Sequence, residues 1–193
     1  MGRVLCAAWD VRHTPGVGPG PLSAREVRMK DAYRTIVSKR DTRAFLDRPV
    51  PEETQRRILQ AGRMAGSSKN VQPCRFIVIK DEKVKEELAK CGDFAAWTPQ
   101  APLLIAVAAG GGTRNEFDAG RAAQNMMVAA WAEDVASCPV TMHRQDCARE
   151  VLGLPADYGV PIVLGFGYRA RPPKRVPEAA RLPWDEYVRI DHW

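Results

Sequence analysis

The chain has 193 residues, of which 45% are hydrophobic and 27% charged, as is typical of a globular protein with one core. No apolar run reaches the roughly 20 residues that a membrane span requires, so we expect no membrane association. The net charge of +6 includes two basic clusters, at residues 39–43 and 169–181. These suit a phosphate-bearing small molecule better than nucleic acid, whose binding surfaces interleave aromatic residues; solvated surface charge is the alternative for either cluster alone.

The first 28 residues differ from the rest, because residues 14–21 (TPGVGPGP) combine chain breakers with no apolar periodicity. We expect a disordered leader at 1–28 and one domain at 29–193, with Met29 as a hypothetical native start. Arg3 and Asp10 interrupt the segment that a secretory signal would need. The odd set of cysteines, without a C-x-x-C pair, is predicted to be reduced in a cytoplasmic protein: Cys6, Cys74, Cys91, Cys138 and Cys147.

Apolar spacing predicts helices alternating with strands. Asp31 can cap a helix to residue 38, with Ala32, Ile36 and Val37 facing inward. A second helix is predicted at 51–65, its inner face carrying Ile58, Leu59, Gly62 and Ala65. Buried strands are predicted at 76–79, 103–108 and 162–166, and Asp81 is predicted to cap a helix after the first strand.

Residues 118–133 form the most informative predicted helix. They are mostly small or apolar and leave almost no polar face, and a helix that is apolar all round must be buried on all sides. We predict that a second subunit covers one side; the alternative is the central helix of a monomeric core. Helices between buried strands predict an α+β or α/β layered domain.

Two segments carry candidate chemistry. Residues 38–45 (SKRDTRAF) place three cations within five positions, which is costly unless an anion lies among them. A flavin phosphate is such an anion, and Arg and Lys suit it. Residues 65–76 (AGSSKNVQPCRF) join a helix to a strand, and their carboxamides can match the donors and acceptors of a flavin ring. An ordinary hydrogen-bonded loop would satisfy them equally well.

Taken in order, these blocks resemble the nitroreductase family. KRDTRAF is similar to the family's R-R-S-x-R-x-F, AGSSKNVQPCRFIVI to A-P-S-x-x-N-x-Q-P-W-x-F-x-V, and DAGRAAQNMMVAAW to D-x-G-x-A-x-Q-N-x-x-L-A-A. VLGFGY resembles the strand that ends in G-Y-P, and RLPWDEYV the basic residue and helix that follow it. The resemblance implies an α+β fold, a layered sheet flanked by helices with a buried central helix at a dimer interface. It also implies a homodimer that holds FMN between its subunits.

The resemblance further implies roles for individual residues. Lys39 and Arg40 would hold the FMN phosphate and ribityl chain, with Asp41 beside them, and Arg43 would lie near N1 and O2 of the flavin. The expected contacts beyond the first segment are Ser68, Asn70 and Gln72 from the second, main-chain groups of Cys138, Pro139 and Val140 near N5, and Arg181 at the phosphate, helped by Arg171 or Lys174. No metal ligand is predicted.

The chain departs from the family pattern at several positions. Asp41 replaces a serine, and its carboxylate would either pair with Arg40 or hydrogen-bond the ribityl hydroxyls. Cys74 replaces a tryptophan and leaves space where a large ring would pack. Gly66 replaces a proline, and residues 133–135 stand where a glycine-rich helix end is usual.

The function implied is the transfer of a hydride from NAD(P)H through FMN to an electron-poor substrate, a nitro compound or quinone. No catalytic side chain is expected, because the protein supplies binding, orientation and charge. Two alternatives remain open. The same flavin can serve a dehydrogenation, a dehalogenation or flavin breakdown, or the chain can be a non-catalytic flavin-binding protein.

Overall fold

The computed structural model describes residues 32–110, 113–173, 177 and 180–193. The expected leader, Asp31 and Lys174 lie outside these residues. The helices are α1 (Ala32–Ser38), α2 (Glu52–Arg63), α3 (Glu82–Lys90), α4 (Thr113–Ala132), α5 (Gln145–Leu152) and α6 (Trp184–Tyr187). The strands are β1 (Cys74–Ile79), β2 (Leu103–Gly110), β3 (Ala136–Val140) and β4 (Tyr158–Gly167). The α+β class is confirmed.

The sheet is antiparallel, with the strand order β1-β2-β4-β3. One core cluster joins Ile58 of α2 and Met126 of α4 to one sheet face, and a second joins Leu88 of α3 and Ala148 of α5 to the other. Because both faces are covered, β2 is a continuous apolar run rather than an alternating one.

A glycine allows α2 and α4 to lie close together. A Cβ added at Gly62 would lie 2.3 Å from Cε of Met126 and 3.1 Å from Cζ of Phe76. Both distances are shorter than van der Waals contact, so a side chain at position 62 would push the helices apart. This packing fixes α4 against β1, where the second candidate segment ends.

The orientation predicted for α1 is wrong. Thr35 is the buried residue of this helix, whereas Ala32 is exposed and Ile36 and Val37 are 55% and 49% exposed. A seven-residue helix meets the core along one narrow strip. Here that strip carries the threonine, so the apolar side chains point outward.

A single chain does not bury α4 on all sides, so the alternative of a central helix in a monomeric core is wrong, and cover by a second subunit stays a prediction. Ala119, Ala123 and Met126 are buried. Phe117 is 69% exposed, and further exposed residues of the helix form a second face with it. This open face of α4 consists of Phe117, Gly120, Arg121, Gln124 and Asn125. The helix therefore has one buried side and one partly polar side that its own chain does not cover.

The prediction that all cysteines are reduced is wrong for one pair. Cys91, at the end of α3, and Cys147 of α5 form a disulfide with their Cα atoms 5.6 Å apart. Cys74 and Cys138 are free thiols, and Cys6 lies outside the described residues. Because disulfides are rare in cytoplasmic proteins, this bond also removes the reason for expecting that compartment. Within the described ranges, no helix is both long and apolar enough to cross a membrane.

Candidate functional site

The first candidate segment lies along β3. Asp41 forms a parallel bridge with Ser137, and the backbone N–H of Thr42 donates to the carbonyl oxygen of Ser137 at 3.0 Å. The chain therefore brings the cationic residues 39–43 beside residues 137 and 138. The strand β3 itself was missed by the sequence analysis, because its five residues carry a proline and no alternation.

The carboxylate of Asp41 contacts Nζ of Lys39 rather than Arg40, so the Asp41–Arg40 pair, one of the two alternatives for this carboxylate, is wrong. The Lys39 side chain is only 10% exposed, and its Nζ also lies 3.4 Å from Sδ of Met127. Arg40 turns back to the end of α1, where its Nη1 donates to the carbonyl oxygens of Val37 at 2.9 Å and Lys39 at 2.7 Å. These terminal carbonyls lack partners within the helix, which explains the guanidinium's position.

Cys138 and Ser137 form the buried wall of this segment. Burial raises the pKa of the Cys138 thiol, and the nearby Asp41 carboxylate raises it further. Arg43 opposes the shift by its charge and by a hydrogen bond to the thiol. The Oγ of Ser137 is fully buried and has no hydrogen-bond partner in the described structure. A buried hydroxyl without a partner costs about 1–3 kcal/mol, so this oxygen favours a ligand group beside it.

The second candidate segment is a strained turn between α2 and β1. A short 3₁₀ helix spans Ser68–Asn70, and Lys69, Asn70 and Gln72 have positive φ angles of 50°, 56° and 50°. Non-glycine residues in this conformation cost roughly 1–3 kcal/mol each and cluster at ligand sites. The turn is held by Ser67, whose Oγ accepts from the backbone N–H of Gln72 at 2.9 Å. The side chains of Ser68, Asn70 and Gln72 face solvent.

The two segments contact different parts of α4. Lys39 meets Met127, whereas the carbonyl oxygen of Gly66 accepts from Nη1 of Arg121 at 2.6 Å. Six residues separate these contacts, which is about 9 Å along a helix axis and roughly 120° around it. One chain thus presents the two halves of the candidate site on different sides of the same helix.

Arg169 also lies next to the first candidate segment, although from the sequence it was only the first residue of a basic cluster. Its guanidinium lies 4.8 Å from the ring centre of Trp131, and Nη2 lies 4.0 Å from Oδ1 of Asp134. Phe45 pairs with Arg169 through an isolated bridge, which brings the second residue after β4 next to the first segment. The sequence signal that could have indicated this position is that Arg169 follows the apolar end of β4 by two residues.

Arg181 lies apart from this cluster. It is exposed in the C-terminal segment, and none of its described contacts reaches residues 39–43. Arg171 is likewise exposed. The same segment exposes the large apolar side chains of Leu182, Trp184, Tyr187, Ile190 and Trp193. The expected phosphate contact of Arg181 therefore stays a prediction.

Comparison with known proteins agrees with the fold. The sequence profile described as "Nitroreductase family" matches residues 36–92 and 90–168. An NADH dehydrogenase of Thermus thermophilus is 25% identical, with 80% of this chain and 96% of that protein covered. The NADPH-flavin oxidoreductase of Vibrio harveyi is also 25% identical, over 80% of this chain and 71% of that protein.

Among solved structures, an FMN-dependent nitroreductase of Clostridium difficile R20291 superposes with a TM-score of 0.74. The match covers 83% of this chain and 99% of that one at 24% identity. At this identity the superposition shows a common fold.

Proposed function

The chain belongs to the nitroreductase family, and from that premise we propose that it is an FMN-dependent oxidoreductase using NAD(P)H to reduce an electron-poor organic substrate. Its relatives include a protein named NADPH-flavin oxidoreductase and another named FMN reductase [NAD(P)H]. Nitro compounds and quinones are the substrate class we propose, because both accept electrons readily from a reduced flavin. FMN supplies the electron-transfer chemistry when bound.

The unpaired hydroxyl of Ser137 is the observation that carries this proposal. Ser137 pairs with Asp41 through the parallel bridge, and its buried oxygen would gain a partner if a polar ligand group bound there. The guanidinium groups of Arg40 and Arg43 are available to an anionic ligand, since their described hydrogen bonds go to carbonyl oxygens and to the Cys138 thiol. This set of donors fits a phosphate or the electron-rich edge of a reduced flavin.

The chain's own residues bind and orient rather than react. Burial raises the pKa of both free thiols, Cys138 and Cys74, so at neutral pH they are protonated and poor nucleophiles. Arg43 would keep a fixed positive charge beside the ring, and the Lys39–Asp41 contact would hold the backbone that presents it. Asn70 and Gln72 would contribute their carboxamides from the second segment, and Arg181 would reach the phosphate from a C-terminal segment of the other subunit.

A homodimer would complete this site. Large apolar side chains are exposed on the open face of α4, on α1 and in the C-terminal segment, and exposed apolar patches mark interaction surfaces. A second copy would cover these surfaces and bring the second segment of one chain towards the first segment of its partner.

Light scattering after size-exclusion chromatography tests this assembly. We expect twice the chain mass of 21.4 kDa. Ile36→Glu should shift the protein towards monomer and reduce its FMN content, because it places a charge in the interface. Phe94→Glu is the matched control, since Phe94 is also exposed but packs on His143 beside the disulfide. A monomeric wild-type protein that retains FMN would refute the shared site.

Reconstitution followed by turnover tests the activity. The purified protein should take up FMN in equimolar amount, with a shifted flavin absorption spectrum. NAD(P)H oxidation should then accelerate on addition of a nitroaromatic compound or a quinone. A protein that takes up no FMN would refute the proposal, and one that binds FMN but never oxidises NAD(P)H would instead be a flavin-binding protein.

A further inference from the structure

The cavity beside Cys74 is lined by none of the cationic residues 39–43, although Gln72 of the second candidate segment lies at its edge. It has a volume of about 440 Å³ and lies between the end of α2, the start of β1 and the first half of α4. This volume falls within the range of small-molecule sites. We propose that this cavity binds a small aromatic anion, a flat apolar ring that carries a carboxylate or sulfonate group.

The cavity exists because the side chains around Cys74 are small. Cys74 is half-buried, and the small residues Gly66 and Ala122 also line the cavity. The tryptophan of the family pattern is absent at position 74, so the space that a large ring would fill stays open. Leu59 and Phe76 supply an apolar floor on which a flat ring can pack.

The polar residues at the cavity make it attractive to an anion. Arg63 donates from Nη1 to Oε1 of Gln60 at 3.3 Å, and Arg75 donates from Nη1 to the carbonyl oxygen of Gln72 at 2.8 Å. Neither guanidinium has a carboxylate partner among the described residues. Asp118 also lines the cavity, but its carboxylate is 8% exposed and lies 3.7 Å from Nη1 of Arg121. The lining therefore keeps two uncompensated positive charges.

Arginine suits this ligand class for two reasons. Its planar guanidinium donates to both oxygens of a carboxylate, and its flat face stacks on aromatic rings. Binding would be non-covalent, because burial and the charge of Asp118 keep the Cys74 thiol protonated. A ligand with a ring on Phe76 and an anionic group at Arg63 and Arg75 would use both halves of the lining.

Titration calorimetry with 2-naphthoate on the FMN-loaded full chain tests the site. We expect saturable binding to the wild-type protein and at least tenfold weaker binding of the neutral analogue 2-naphthol. Cys74→Trp should weaken binding at least tenfold by filling the cavity, whereas Cys74→Ser, which keeps the space, should stay within twofold. Arg63→Gln and Arg75→Gln should each weaken naphthoate binding by about three- to tenfold.

Arg56→Gln is the control for charge, because Arg56 lies on the same helix as Arg63 but pairs with Glu52 away from the cavity. It should leave the affinity unchanged. The arginine variants change exposed side chains, so they remain informative if Cys74→Trp fails to fold. Absent binding to the wild-type protein, equal binding to Cys74→Trp, or equal effects of Arg56→Gln and Arg75→Gln would each overturn the proposal.

Discussion

Replacing Glu133 with glutamine tests how much the hydrogen bonds between α2 and the end of α4 contribute to the stability of the fold. The Glu133 carboxylate accepts two hydrogen bonds from Arg57, from Nε at 2.5 Å and from Nη2 at 2.6 Å. Thr54 adds a third from Oγ1 at 3.0 Å. Glu133 lies in the turn between α4 and β3, so this contact also positions the strand that carries Ser137.

The expected loss is about 1–2 kcal/mol in the free energy of unfolding. Hydrogen bonds to charged groups contribute about 1.5–3 kcal/mol when buried. The Arg57 side chain is 49% exposed, and exposed ion pairs contribute about 0–1 kcal/mol, so an intermediate value applies. For a chain of this size, 1–2 kcal/mol corresponds to a fall in Tm of about 2–8 °C.

The pH dependence separates a charge effect from a packing effect. The hydrogen bonds from Arg57 hold the pKa of Glu133 below its usual value, although partial burial opposes them. A carboxylate with a lowered folded-state pKa stabilises the protein above its unfolded pKa of about 4.3. That stabilisation is lost as the pH falls through the folded-state pKa. The difference between wild type and Glu133→Gln should therefore be constant from pH 7 to about 5 and shrink below about 4.

Urea unfolding at pH 7 and at acid pH, at one protein concentration, provides the measurement. Glu53→Gln is the control, because Glu53 binds the same guanidinium at 2.5 Å but is 82% exposed. It should cost less than about 0.5 kcal/mol. Equal losses in the two variants, or a Glu133→Gln difference that persists unchanged below pH 4, would refute the reasoning.

Three further changes have expected outcomes. Arg43→Ala should weaken FMN retention and lower the flavin potential, measured by spectroscopic titration; an unchanged occupancy and potential would contradict its place beside the ring. Arg181→Ala should weaken FMN binding more than riboflavin binding, and equal losses for the two flavins would exclude a phosphate contact. Joint replacement of Cys91 and Cys147 by alanine should cost about 2–4 kcal/mol, because the disulfide closes a loop across 56 residues. A reductant should lower the Tm of the wild type but not of this double variant, and a reductant-insensitive wild type would show that the bond does not form.

Elements with strong local signals could be predicted from the sequence. Asp81 caps α3 as expected, its carboxylate accepting from the backbone N–H groups of Lys83 at 2.8 Å and Val84 at 3.2 Å. The capping residue and the backbone N–H groups that it binds lie within three residues of one another, so this cap can be predicted without knowledge of tertiary contacts. The same holds for β2, whose unbroken apolar run indicated a strand covered on both faces.

Features that depend on contacts between distant residues could not be predicted. The sequence spacing of Cys91 and Cys147 contains no sign that α3 and α5 lie side by side on one sheet face. The partner of Asp41 was equally hidden, because the choice between Lys39 and Arg40 depends on which cation the carbonyls at the end of α1 attract. The sequence shows that Lys39, Arg40 and Asp41 are neighbours. The geometry at the end of α1 determines that Asp41 contacts Lys39 while Arg40 binds backbone carbonyls.

The open face of α4 bears most directly on the candidate site. Composition indicated a helix too apolar for solvent, yet its polar residues Arg121, Gln124 and Asn125 lie together on the face that the chain leaves open. A face that mixes Phe117 and Gly120 with carboxamides resembles the interface between subunits more than a hydrophobic core. The first segment contacts α4 at Met127 and the second contacts it at Arg121, on different sides of the helix. A second copy packed on the open face would therefore bury the exposed apolar residues and also supply the half of the flavin site that each chain presents away from its own cations.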